Sequence, residues 1–354
     1  MAPSGTRRRT ALLSLAAGLV AAASLGALEP ASAATTVTDL GLVPGGSYAS
    51  ARAINSVGGV IGLATDSAGT YRQARFAGGT ATLLSSSCCA SSLVAPLALN
   101  DSGEAVGWGQ VYGSLSNAAY WNAAGVTVPL QAVPGGNGTG TRAYDINNSG
   151  VIVGSDVRSV PTAYGTAPEY HGVVWNRGAF VRDLGFLGQA APGLANATFA
   201  QGINDTGVIV GQAVVGTEYR AFRWQAGTFT NLGAGSALDL NTSGLVIGYA
   251  PGQIPVTWTG TTRKNLPALG GGATAYGHTV TDLNTTGDIV GYAPGSNGQH
   301  TAVLWRKGKA INLGRAGSGT VSRAYGINDA GQIVGEGNVV AGGPMHALRW
   351  TVRR

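Results

Sequence analysis

Two cysteines in 354 residues, adjacent at Cys88 and Cys89, exclude a disulfide framework. Charge is also scarce. Only 11% of the residues are Asp, Glu, Lys or Arg, and the basic ones stand singly, without aromatic interleaving. That pattern lacks the electrostatic footprint of a nucleic-acid binder. No second long apolar run follows the one near the N-terminus, so no membrane span is expected after it. Convincing helical periodicity is missing, and 58 glycines argue against long helices. Hydrolase and nucleotide signatures are missing too: there is no His-Glu-x-x-His, no Gly-x-Ser-x-Gly and no Gly-x4-Gly-Lys-Ser/Thr. The glycine cluster Gly135–Gly140 looks like a phosphate cradle, but the helix such a cradle needs does not follow it.

The N-terminus reads as an export signal. Arg7, Arg8 and Arg9 precede an apolar run from Ala11 to Leu28, and Ala31-Ser32-Ala33 has the small-residue pattern of a cleavage site. Residues 1–33 are therefore expected to be removed, leaving 34–354 as a single secreted, extracellular domain. Removal takes three arginines and one glutamate from 22 basic and 16 acidic side chains, which leaves 19 and 15, a charge of about +4. The adjacent arginines also fit twin-arginine export.

A nine-residue phrase recurs seven times: an aliphatic residue, Asn, two small or polar residues, Gly, any residue, two apolar or small residues, Gly. The Asn positions are 55, 100, 147, 204, 241, 284 and 328, a period near 45. About twenty residues after each Asn stands an aromatic: Phe76, Trp121, Trp175, Trp224, Trp258, Trp305 and Trp350. Two residues earlier is a small or apolar residue, the spacing of a strand face. A glycine and a short segment ending in Leu usually follow. Each unit thus reads as four short strands, with Asn-x-x-Gly as the first hairpin turn. Seven such units predict an all-β, seven-bladed β-propeller of four-stranded blades. The fourth-strand motif is missing after Trp350 but present as Val37-Thr38-Asp39-Leu40-Gly41 at the other end. The N-terminal strand is therefore expected to complete the last blade and close the ring, removing exposed sheet edges.

The succession Asp-Leu-Gly, Ile-Asn-x-x-Gly-x-Val-Val-Gly and His-Ala-Phe-x-Trp resembles the bacterial extracellular HAF-repeat proteins over essentially all of residues 36–354. In the third motif His stands first only at His171 and His346. The resemblance implies a secreted repeat protein and no particular activity.

Chemistry has to be sought in the loops, because repeat positions read first as scaffold. The tryptophans read as fillers between blades, and the Asn series as turn chemistry rather than calcium ligands, which must converge on one point. The histidines, His171, His278, His300 and His346, form no ligand-spaced pair. No metal or cofactor is expected. Three segments depart from the repeat: Ser85–Ala95 with the cysteine pair, Trp108–Asn117 with Trp108 and Tyr112, and Ser155–Tyr170 with Asp156, Arg158, Tyr164 and Tyr170. They are expected to cluster on one face as loops able to bind a sugar or peptide. The favoured reading is a monomeric binding or scaffold module for an extracellular carbohydrate or protein. The alternatives are an extracellular lyase or glycoside-acting enzyme, with carboxylates or histidines converging at the central opening, and a structural envelope or matrix component.

Overall fold

The structure is a computed structural model and describes residues 35–84, 92–111, 116–136, 140–162, 165–295 and 299–353. The export segment 1–33, the cysteine pair, Tyr112 and Tyr164 lie outside them. β1 (Thr35–Gly41) precedes the first blade, which is β2 (Ala49–Ile54), β3 (Val60–Thr65), β4 (Tyr71–Ala77) and β5 (Thr80–Leu83). The second blade is β6 (Ser92–Leu99), β7 (Ala105–Val111), β8 (Ser116–Trp121) and β9 (Thr127–Val128), and the third is β10 (Arg142–Ile146), β11 (Val151–Thr162), β12 (Gly165–Asn176) and β13 (Ala179–Asp183). The fourth contains β14 (Thr198–Ile203), β15 (Ile209–Val215), β16 (Glu218–Gln225) and β17 (Thr228–Ala234). The fifth contains β18 (Ser236–Leu240), β19 (Leu245–Ala250), β20 (Ile254–Thr259) and β21 (Thr262–Asn265). The sixth is β22 (Thr279–Leu283), β23 (Ile289–Pro294), β24 (His300–Arg306) and β25 (Lys309–Asn312). The seventh is β26 (Ser322–Ile327), β27 (Gln332–Asn338) and β28 (Met345–Val352), with β1 as its outermost strand. β1 runs antiparallel to β28, with Val37 opposite Trp350. Seven four-stranded antiparallel sheets make a β-propeller, and there is no helix among the described residues.

Seven apolar clusters hold the ring, one at each blade–blade interface. The repeated tryptophans sit in them as expected. Trp175, Trp258 and Trp350 are fully buried, and Trp224 and Trp305 are 8% and 2% exposed. Indole Nε1 atoms of Trp175, Trp258 and Trp305 donate to carbonyls of the preceding blade, at Gln131, Leu232 and Pro267. Burial of so large a ring stabilises by a few kcal/mol, and the fixed donor sets its orientation.

The nine-residue phrase is explained residue by residue. Each repeat Asn accepts at Oδ1 from the backbone N–H four residues on. Its Nδ2 donates to the carbonyl of the next repeat Asn, at 3.0–3.3 Å. The last link, from Asn328 to the carbonyl of Asn55, completes a circle of seven hydrogen bonds. The Asn side chains are only 3–6% exposed, so they fix the turn and couple neighbouring blades together. The first Gly of the phrase adopts φ of +75° to +84°, as in Gly58, Gly207 and Gly331, a region that an L side chain disfavours. At the closing Gly, such as Gly62, Gly154 or Gly335, a Cβ would overlap the carbonyl oxygen of the inner strand, at Ser50, Arg142 or Arg323. The inner strand carries a β-bulge beside that contact in every blade.

Two expectations about loops are corrected. The described parts of Ser155–Tyr170, residues 155–162 and 165–170, form a β-ribbon: β11 and β12 pair without interruption from Val151↔Asn176 to Thr162↔Gly165. Its Val and Thr residues continue the ladder, so the extra length of the third unit extends the hairpin outward. Trp108 likewise lies within a strand, opposite Ala118.

Candidate functional site

Each inner strand runs from the face carrying the blade-to-blade connections to the face carrying the Asn turns. The bulged residue, three before the repeat Asn, turns its side chain into the central channel. These residues are Arg52, Leu97, Tyr144, Gln201, Leu238, Thr281 and Tyr325, one from each blade, and together they line a cavity of about 410 Å³. Leu238 packs against the cluster between the fifth and sixth blades and Thr281 Oγ1 donates to the Ala324 carbonyl at 3.1 Å, but no one residue type is required at this position, and Arg, Leu, Tyr, Gln and Thr all occur.

Charge is placed unevenly around this mouth. The Arg52 guanidinium lies 4.2 Å over the Tyr325 ring, a cation–π contact. Glu336, only 2% exposed, accepts from the Tyr48 hydroxyl at 2.7 Å, the Tyr325 hydroxyl at 2.8 Å and Arg323 at 2.6 Å. Burial alone would raise its pKa. Arg52, Tyr48, Arg323 and Tyr325 outweigh burial and hold it below the usual carboxylate range. Tyr48 is pushed up to about 12 by burial and by that carboxylate. Arg323 also reaches His300 Nδ1 at 3.0 Å, and burial together with this cation lowers the imidazole pKa. Elsewhere in the mouth, Arg142 stacks 4.7 Å over Trp108, whose ring meets Tyr144 edge-on at 6.4 Å.

Below the bulges is a collar of three half-buried aspartates. Asp145 accepts from its own neighbour Ile146 and from Ile203 of the next blade, both at 2.8 Å. Asp282 does the same with Leu283 and Ile327, both at 2.7 Å. Asp239 accepts from Leu240 at 2.7 Å and hydrogen-bonds Asp282 across the blade interface. Burial raises Asp145 to about 7 and Asp282 to about 6, against the opposing backbone N–H groups. Asp239 is raised well above its ordinary value by burial and by the charges of Asp282 and Asp145. Asp145 and Asp282 each hold one oxygen on their own strand and the other on the next blade. The collar is a set of clips more than a reactive centre.

Of the six residues expected to bind ligand, the four that are described, Trp108, Asp156, Arg158 and Tyr170, do not form one cluster. Trp108 belongs to the channel side, against Arg142 and Tyr144. Asp156 is wholly buried and accepts from Val133 N–H at 3.0 Å, Thr141 Oγ1 at 3.0 Å and Val157 N–H at 2.8 Å. It fastens the connection between the second and third blades and presents nothing to solvent. Arg158 pairs with Asp183 at 3.1 Å, and Tyr170 packs on Phe199 of the fourth blade at 5.4 Å between centroids. Tyr170 therefore faces the fourth blade, whereas Arg158, opposite Glu169 in the ribbon, projects from the other face of the third blade. Tyr112 and Tyr164 are outside the described residues. His171 is buried beside Asp183, with Nδ1 2.8 Å from Oδ2. Burial raises Asp183, but His171, the Gly185 N–H and Arg158 bring it below its ordinary value. The channel residues were missed because they occupy repeat positions. A signal was present: the residue four before each Asn is Ala, Val or Pro, whereas the residue three before varies without pattern.

No family model matches the chain, and no curated protein matches it. Among solved structures, a fucose-bound form of the Aleuria aurantia lectin is similar at 12% identity and a TM-score of 0.43, over 77% of this chain and 95% of that one. That lectin is a six-bladed β-propeller, one blade fewer than here. A gluconolactonase from Xanthomonas campestris is similar at 11% identity and a TM-score of 0.43, over 90% of each chain. The lectin SapL1 is similar at 13% identity and a TM-score of 0.37, over 87% of this chain and 96% of that one.

Proposed function

We propose that the protein is a secreted, monomeric carbohydrate-binding module of the HAF-repeat kind, closed by its N-terminal strand, with its ligand seated in the connection-face mouth of the channel. The observation that carries this reading is the ring of seven bulge side chains. It combines aromatic faces (Tyr144, Tyr325), apolar contacts (Leu97, Leu238) and polar groups (Arg52, Gln201) around one cavity. Gln201 and the Tyr144 hydroxyl make no hydrogen bond among the described residues, which leaves them for ligand. An apolar wall with a few convergent polar groups suits a sugar ring. Trp108 supports Tyr144 in this arrangement. A glycan array probed with the protein lacking residues 1–33 tests the reading. Changing Tyr144 and Gln201 together to Ala should weaken the best ligand at least tenfold, about 1.4 kcal/mol, without lowering thermal stability. If that variant binds normally and Tyr170→Ala abolishes binding, the ligand lies on the β11–β12 ribbon instead.

A second reading, an extracellular lyase or glycoside-acting enzyme, is favoured by the Asp239–Asp282 pair, two carboxyl groups of raised pKa at one opening. It requires Asp239→Asn to abolish turnover of an array-identified glycan while sparing its binding.

A further inference from the structure

The turn face carries a second cavity, of about 640 Å³, between the fifth and sixth blades. Repeat equivalence shows what is unusual about it. At the tight turn between the third and fourth strands, the second residue after the aromatic is a cation in only two blades, Arg177 and Lys307. Both hold the same left-handed backbone, with φ of 44° and 50°. Four residues after the repeat Asn of the preceding blade stand their counterparts, Glu104 and Leu245. In the cleft between the second and third blades, Arg177 crosses Gly150 and meets Glu104 Oε1 at 2.8 Å, which closes the cleft. In the cleft between the fifth and sixth, Lys307 faces a leucine. The equivalent cation has no anion.

The surroundings deepen the mismatch. Lys264, on β21, adds a second ammonium to the same rim. Neither lysine has an ion-pair partner among the described residues. The one carboxylate in the cleft, Asp288, is held by Arg306 through two contacts of 2.9 and 2.7 Å. The floor is apolar, formed by Leu245, Leu266 and Ile289. The cleft is also open where its counterpart is filled. A Cβ on Gly178 would meet the Pro129 carbonyl at 3.0 Å, whereas one on the equivalent Gly308 would meet nothing within 4 Å.

We propose that this cleft binds a small amphipathic carboxylate, an apolar ring or short chain bearing one anionic group, whose charge stands where Glu104 stands in the equivalent cleft. Lys307 and Lys264 hold the carboxylate, and the apolar body rests on Leu245, Leu266 and Ile289. The volume matches that of ordinary small-molecule sites. The site is independent of the channel mouth, which opens on the other face.

Anilinonaphthalene sulfonate, an anionic fluorophore of suitable size, serves as the probe. The protein lacking residues 1–33 should give saturable one-to-one fluorescence enhancement. Phenylbutyrate should displace the probe, and the neutral phenylbutanol should not. Lys264→Ala with Lys307→Ala should weaken the probe at least tenfold with the melting temperature unchanged. Leu245→Glu supplies the missing internal anion and should also weaken it at least tenfold, while Tyr144→Ala leaves it unaltered. The proposal is overturned if the native protein shows no saturable binding, if phenylbutanol competes as well as phenylbutyrate, or if the double lysine variant binds like the native protein.

Discussion

Replacing one member of the asparagine circle tests whether the blades are coupled through it. Asn241 is 5% exposed, its Nδ2 donates to the Asn284 carbonyl at 3.0 Å, and its Oδ1 accepts from Leu245 N–H at 3.0 Å. Asn241→Ala removes both bonds, with different consequences, and also the acceptor of the Ser243 hydroxyl at 2.7 Å, which can turn to water. The Asn284 carbonyl keeps a donor, the Gly287 N–H at 3.1 Å. Leu245 N–H is left with none. One lost bond at about 1 kcal/mol plus one orphaned buried N–H at about 1–3 kcal/mol gives a cost of about 2–4 kcal/mol. With an unfolding entropy of about 2.1 cal/mol/K per residue over ~320 residues, the melting temperature should fall by roughly 3–6 °C. Asn241→Asp separates the two halves of the effect. It keeps the acceptor for Leu245 but sets a carboxylate oxygen against the Asn284 carbonyl. Because burial there raises the carboxyl pKa in the folded state, the penalty is small near pH 4 and grows as pH rises toward 7. Thermal unfolding followed by circular dichroism at both pH values measures this. A loss below about 0.5 kcal/mol for Asn241→Ala, the size of a surface substitution, would refute the coupling.

Two further outcomes are expected. Deleting Thr35–Gly41 bares the edge of β28, takes the buried Leu40 out of the core and removes a ladder of backbone bonds, so stability should fall by about 3–6 kcal/mol or the protein should aggregate; unchanged thermal unfolding would show that the strand does not lock the ring. The aspartate collar sets a pH dependence. Its folded-state pKa values lie above those of the unfolded chain, so its contribution is fully present below about pH 4 and is lost as pH rises through about 6 to 7. The melting temperature should therefore increase from pH 8 to pH 5, and Asp239→Asn should flatten that slope; a flat native profile would count against raised carboxyls in the collar.

The architecture was legible because a propeller repeats its constraints locally. An Asn that must cap its own turn, a Gly that must lie against a carbonyl and an aromatic that must fill one interface recur in every unit, whatever the rest of the chain does. The displaced fourth strand at Val37–Gly41 was readable for the same reason, as a repeat element out of place. Tertiary structure decided everything that depends on neighbouring blades. Asn55 and Asn328 are 273 positions apart, and only the closed arrangement makes them partners. Asp156 reads as a loop carboxylate in sequence, but the chain around Val133 and Thr141 buries it and occupies its oxygens. Tyr170 shares a segment with it, yet the ribbon turns it the other way, onto Phe199 of the fourth blade. Asp145, Asp239 and Asp282 stand 43 or more positions apart in sequence and act on one another only because the bulged inner strands bring them to one collar. Local hydrogen bonding and sterics write a repeat into sequence. Which side chains meet across the axis depends on ring closure, a long-range property that no single unit encodes.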